Sequence, residues 1–138
     1  MKHFYFSEFF NSSTAAKNGI KNEPTSNERG RVMLNIKLLV DNVLEPIRDM
    51  VRTPIIITSG YRSPQLNQIV GGADNSQHMS GCAADFHVKG YNTFKMYKVF
   101  LYISNTLEFD QLIFYPSKNI IHVSYVENCN RYEAFIKK

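Results

Sequence analysis

The chain has 138 residues, 16 Lys and Arg against 12 Asp and Glu, a net charge of +4, and 43% hydrophobic and 20% charged residues. That length suits one domain with a single core, and that composition is ordinary for a globular protein, which argues against a disordered or fibrous chain. The cations are scattered, with no run of five or more and no basic helical stripe; this argues against a nucleic-acid module and leaves anionic partners such as a cell wall open. No apolar run approaches the length needed to span a bilayer. The first residues, Met1-Lys2-His3-Phe4-Tyr5-Phe6-Ser7-Glu8, lack the apolar segment of a signal peptide. Synthesis in the cytoplasm is the expectation, with action at a cell wall after release, or as part of a virion or of a longer secreted protein. Cys82 and Cys129 form no CxxC pair and read as reduced thiols, Cys82 as a small packing residue.

In chain order, short helices are expected near Ser7–Phe10 and Thr14–Asn18, the second stopped by Gly19. Thr25-Ser26-Asn27-Glu28 has the capping-box pattern and opens a long helix to about Val51. Val32, Ile36, Leu39, Val40, Val43, Ile47 and Met50 recur on one face at helical spacing, and Pro46 should kink the helix. Pro54–Thr58 is an apolar β-branched run, read as a buried strand. Ser63 caps a short helix, Pro64–Val70, so that Arg62 sits at a strand-to-helix corner where its guanidinium can meet a carboxylate. Ala84–Val88 reads as a strand, and Tyr91–Leu107 as an amphipathic helix with Asn92 as cap. Residues 109–115 and 120–125 read as a hairpin pairing Tyr115 with Ile120 and Ile113 with His122, which puts Gln111, Ile113 and Tyr115 on one face with His122. Residues 126–138 form a basic, mostly polar tail, partly ordered by Tyr132, Phe135 and Ile136. A monomer is expected.

The stretch that carries chemistry is Ser76-Gln77-His78-Met79-Ser80-Gly81-Cys82-Ala83-Ala84-Asp85-Phe86-His87. Neutral imidazole and carboxylate suit a divalent zinc ion, and three protein ligands plus water is the usual catalytic arrangement. With His78 and Asp85 as two ligands, His122 is the best third among four histidines. His87 is its rival, because Asp85 and His87 share a strand face.

Taken together, Ser59-Gly60-Tyr61-Arg62-Ser63, Asn67, Val70-Gly71-Gly72, Ser76-Gln77-His78, Gly81 through Asp85, Phe109-Asp110-Gln111-Leu112-Ile113 and Ile121-His122-Val123-Ser124 closely resemble the M15 family of zinc D-Ala-D-Ala peptidases. The likeness runs over about residues 4–125 and is nearest the small M15A-type domain common in phage and bacterial genomes, the endolysin-like branch. It includes Ser7-Glu8, Asn22-x-Pro24 and Val43-Leu44-x-Pro46-Ile47-Arg48. The resemblance implies an α+β fold shared with Hedgehog signalling domains, a small antiparallel sheet with helices packed on it. It implies zinc (Zn2+) bound by His78, Asp85 and His122, and peptidoglycan stem or cross-link peptides as substrate. It assigns Arg62 to the substrate carbonyl and its developing oxyanion. Ser76 and Gln77 beside His78, and Gln111 and Tyr115 as the polar neighbours that the hairpin register gives His122, are the candidate substrate-binding residues.

The chain departs from the family pattern at the general base. Many members carry Glu or Asp three residues before the last zinc histidine, where this chain has Asn119, and small-branch members carry Glu where it has Tyr115. By the hairpin register Asp110 faces away, and Glu108, Glu127 and His87 stand as substitutes. Two readings follow: a working zinc peptidase, or a catalytically inactive relative that binds cell-wall peptide or serves as a phage structural protein.

Overall fold

The structure, a computed structural model, describes residues 1–138. It is α+β, a sheet of five strands with helices packed on it. The chain opens with α1 (Phe6–Phe10) and α2 (Ser13–Lys17), close to the expected helices, and Gly19 takes the left-handed φ of +65° after the second. Helix α3 (Ser26–Leu39) begins at the expected Thr25, but the Thr25 side chain makes no capping hydrogen bond. The pattern located the helix start and not its bonding.

The expected kink at Pro46 takes the form of a π-helical turn, Val40–Leu44, between α3 and α4 (Glu45–Val51). The Glu45 amide donates to the Val40 carbonyl, five residues back. Widening the turn accommodates a proline ring that would clash with the preceding turn of a regular α-helix, and the axis continues to Val51. Leu39, Val40, Val43, Leu44 and Ile47 are fully buried along it. Buried Glu45 accepts from the Lys2 and His3 amides and from His3 Nδ1, which ties the first residues to this helix.

Strand β1 (Ile55–Ser59) leads through a corner into α5 (Pro64–Ile69), capped by Ser63 Oγ accepting from the Leu66 amide. A 3-10 turn, Gln77–Ser80, precedes β2 (Ala83–Val88). Helix α6 (Thr93–Thr106) starts at Asn92, whose Oδ1 accepts from the Lys95 amide. The hairpin β3 (Gln111–Tyr115) and β4 (Ile120–Ser124) has the expected register, Ile113 opposite His122 and Tyr115 opposite Ile120.

The strand order is β1-β2-β4-β3, antiparallel throughout, extended by β5 (Glu133–Ile136) beside β3. The fifth strand is the departure from expectation, because it runs parallel to β3 and pairs Gln111 with Glu133 and Ile113 with Phe135. The tail is thus a sheet edge. The Asp110 carboxylate holds it by accepting from the Arg131 backbone amide, Nε and Nη2 at 2.9, 3.0 and 2.8 Å.

One sheet face is packed. Ala84, Phe86, Val88, Leu112, Phe114, Ile121 and Val123 join Val32, Ile36 and Leu39 of α3 and Met96, Val99 and Ile103 of α6 in one core. Alternate positions of the same strands face the other way. They carry Asp85, His122, Gln111 and Tyr115, the part-exposed floor of a cleft.

Candidate metal centre and cleft

Three elements converge on the cleft. Asp85 on β2 lies directly opposite His122 on β4, so their side chains rise from one face at one level of the sheet. The third element is the 3-10 turn, which suspends His78 above that row. Asn35 Nδ2 of α3 donates to the Ser80 carbonyl at 2.9 Å, and the Arg62 amide donates to the His78 carbonyl at 3.0 Å. Ser76 Oγ accepts from the His78 amide at 3.3 Å.

The corner after β1 fixes the other wall. A bulge between Ile57 and Ser59 shifts the register so that Ser59 faces Asp85. Gly60 then runs against α1 so closely that a Cβ would lie 2.6 Å from the Phe9 backbone. The Tyr61 amide donates to the Phe9 carbonyl, and Asn22 Nδ2 donates to the Phe10 and Tyr61 carbonyls while its Oδ1 accepts from the Ser63 amide. These contacts explain why Ser59 through Ser63 and Asn22 belong to one motif. They aim Arg62 into the cleft, where Nε donates to Ser59 Oγ at 3.2 Å, Nη1 to Asn67 Oδ1 at 3.3 Å, and Nη2 lies 3.7 Å from Asp85 Oδ2. Gly72 leaves room for the Arg62–Asn67 pair, since a Cβ there would lie 2.1 Å from Asn67 Oδ1.

His78 is buried, and its Nδ1 meets the Gly60 carbonyl at 2.7 Å. A carbonyl only accepts, so Nδ1 carries the hydrogen and Nε2 faces Asp85 Oδ1, 3.4 Å away, with a lone pair. His122 Nδ1 meets the same Asp85 oxygen at 2.8 Å, while its buried Nε2 has no hydrogen-bond partner. Electron-rich atoms this close need a shared cation, either protons or a metal ion. Burial opposes ionisation of Asp85, but when protons occupy the shared space the hydrogen bonds from His122 and then His78 outweigh it and hold the carboxyl well below the usual carboxylate range. The three ligand atoms lie within 4.8 Å of one another. Two imidazoles and one carboxylate at that spacing fit a divalent metal ion.

His87 shares the strand face of Asp85 but lies two residues further along β2, opposite Ile56 of β1, whereas Asp85 is the residue opposite His122. It lies outside the cluster that His78, Asp85 and His122 form. Gln111 and Tyr115 line the cleft as the hairpin register implied, and Ser76 and Gln77 line it beside His78. Two of these amides are already engaged. Gln77 Nε2 donates to Asp110 Oδ2 at 2.8 Å, and Gln111 Nε2 donates to Glu133 Oε1 at 2.7 Å. Burial raises the Tyr115 phenol, and Asp85 raises it further.

Asp85 is the only side-chain carboxylate lining the cleft. Asp110 is buried beneath Arg131 and Gln77, and Glu108 and Glu127 are exposed elsewhere. Asn119, at the position of the family acid, has left-handed φ and donates its amide to the Tyr91 carbonyl. Cys82 is buried and burial raises its thiol pKa, which fits packing rather than nucleophilic chemistry.

Sequence reasoning missed the contribution of the tail, since Arg131, Lys137 and Lys138 line the cleft. The cleft has a volume of about 940 Å³, at the large end for small-molecule sites. No helix is long and apolar enough to cross a membrane. No curated protein matches the chain. The family model for Peptidase M15 matches residues 2–124, a span that contains His78, Asp85, His122 and Arg62. The chain therefore belongs to the peptidase M15 family.

Proposed function

We propose that this chain is a zinc-dependent peptidase that hydrolyses peptidoglycan stem or cross-link peptides, as a D-Ala-D-Ala carboxypeptidase or as an endopeptidase of the endolysin kind. The observation that carries the reading is the convergence of His78 Nε2, Asp85 and His122 Nδ1 on one point of the cleft floor, in a chain of the peptidase M15 family. Zinc held by these three groups supplies Lewis-acid polarisation of a scissile carbonyl and a lowered pKa for an attacking water.

The protein's own groups do the rest. Gly60 fixes the His78 tautomer, so that His78 offers Nε2 as a lone pair without first losing a proton. Asp85 supplies the one carboxylate of the set, directly opposite His122 on the cleft floor. Arg62 is held at three points, so its guanidinium faces the reacting carbonyl with little freedom to lose. That geometry suits stabilisation of negative charge developing on the carbonyl oxygen. The cleft accommodates an extended peptide along β3, past Gln111 and Tyr115.

A second reading has a specific observation behind it. With no side-chain carboxylate besides Asp85 on the cleft wall, no side chain stands ready to take a proton from water and hand it to the leaving amine. In that reading the protein is an inactive relative that binds cell-wall peptide or serves as a phage structural piece.

The test is release of D-alanine, or of new free amines, from purified peptidoglycan and from a synthetic stem peptide, with and without a chelator. The first reading predicts chelator-sensitive release. Absence of release from zinc-loaded, folded protein would reject turnover and leave the binding reading.

A further inference from the structure

The cleft is electrostatically lopsided. Among side chains, its wall carries Arg62, Lys118, Arg131, Lys137 and Lys138 against the single carboxylate of Asp85. Two of those cations are already matched, since Arg62 faces Asp85 and Arg131 grips Asp110. Lys118, Lys137 and Lys138 form no ion pair with any acid of the chain.

These three lysines gather at one end. Lys118 lies in the turn between β3 and β4, where its amide donates to the Tyr115 carbonyl and its Nζ stands 5.7 Å from the Tyr115 ring centroid. Lys137 follows β5, with its amide donating to the Phe114 carbonyl. Both backbones are therefore tied to the last residues of β3, and the Asp110–Arg131 clamp holds the start of the tail strand that delivers Lys137 and Lys138. Tyr115 is two residues along β3 from Ile113, the partner of His122. Two residues of extended strand span about 7 Å, so a peptide lying over the cluster reaches the lysines within a few residues.

We propose that Lys118, Lys137 and Lys138 form an anion-recognising end of the cleft, which holds a carboxylate of the bound peptide a few residues from the metal centre. The proposal rests on the peptide-binding reading above and adds a determinant of specificity to it. A peptide carboxylate is favoured over a polyanion because the unpaired lysines cluster at one end of the cleft that holds the metal ligands. A polyanion would be met by a continuous basic stripe. Lys137 and Lys138 lie beyond residues 2–124, so two of the three lysines at this end of the cleft come from the chain's tail.

The experiment compares two synthetic stem peptides that differ only in one side-chain carboxylate, free in one and amidated in the other. Calorimetry measures their binding to the zinc-loaded protein and to its Lys118→Gln, Lys137→Gln, Lys138→Gln triple variant. The wild type should prefer the free carboxylate by roughly tenfold at low salt, as expected for a few exposed charge contacts. The preference should shrink as salt shortens the screening length to about 8 Å and below. The triple variant should lose the preference while keeping its affinity for the amidated peptide and for zinc. Equal wild-type affinity for the two peptides would overturn this proposal and leave the peptide-binding reading standing. Zinc binding with no affinity for either peptide would overturn both. Tighter, lysine-dependent binding of a short polyphosphate chain would overturn it in favour of a polyanion.

Discussion

On β2, Ala84, Phe86 and Val88 are wholly buried, while Asp85 and His87 between them stay part-exposed. The same alternation runs through β4, where Ile121 and Val123 are buried and His122 faces the cleft. One face of the sheet is therefore committed to helices α3 and α6, and the other to the ligand row and the cleft. The two faces share a backbone and divide its labour. Packing on one face fixes strand positions, and fixed strands bring Asp85 and His122 opposite each other. Substitutions on the two faces should accordingly fail in different ways.

The largest contrast is expected at the ligands. His122→Ala should weaken zinc binding by more than about 100-fold, because loss of groups that merely orient a ligand already costs 10–100-fold. The variant should stay folded in the absence of zinc, since His122 lies outside the packed core and its one side-chain hydrogen bond, Nδ1 to Asp85, is on the cleft face. Calorimetric titration with zinc checks the first point and circular dichroism the second. Phe86→Ala, the adjacent residue with the opposite orientation, should do the reverse. It should cost about 3–5 kcal/mol of stability in a urea melt while the folded fraction still binds zinc. Near-native stability would break the division between faces.

Gly60→Ala should lie between these extremes. The added methyl has no room against the Phe9 backbone, and overpacking of this kind costs about 1–3 kcal/mol. Because Gly60 O also holds His78, zinc affinity should fall with stability, a coupling that neither Phe86→Ala nor His122→Ala should show.

Acid should produce the smallest and most local effect. The Asp110 carboxyl is lowered chiefly by its hydrogen bond to Arg131, against the opposing effect of burial. A depressed folded pKa contributes stability that is fully present above the unfolded value of about 3.9 and is lost as pH falls through the folded one. Asp110→Asn should therefore flatten the loss of stability below about pH 4 and speed proteolytic cutting of residues 126–138. An unchanged acid limb and an unchanged tail would show that the Asp110–Arg131 clamp does not hold β5.

The contrast between faces was largely legible in the sequence, because period-2 burial on β2 and β4 and the short hairpin connection constrain register directly. That register aligned Ile113 with His122, and the structure has the same pairing. The corner at Arg62 was also legible, since Ser63-Pro64 is a local helix start. The tail was not. Its four strand residues, Glu133-Ala134-Phe135-Ile136, show no alternation and are all exposed, so no burial period marks them. Their partner strand lies more than twenty positions away in a parallel pairing, which local turn chemistry does not encode. The Gln77–Asp110–Arg131 link escaped for the same reason, since each contact is made across distant parts of the chain. The chemistry-bearing row was found because its residue types are rare, and the cleft end was missed because lysines are common.

The most direct test of the account is a zinc titration of the wild type alongside His78→Ala, Asp85→Ala and His122→Ala, read by calorimetry and by the rise in melting temperature. The account predicts one zinc ion per wild-type chain with a marked thermal rise, and loss of both in each variant, while His87→Ala keeps both. Equal zinc affinity and equal thermal rise in the wild type and the three ligand variants would contradict it and place the metal, if any, elsewhere.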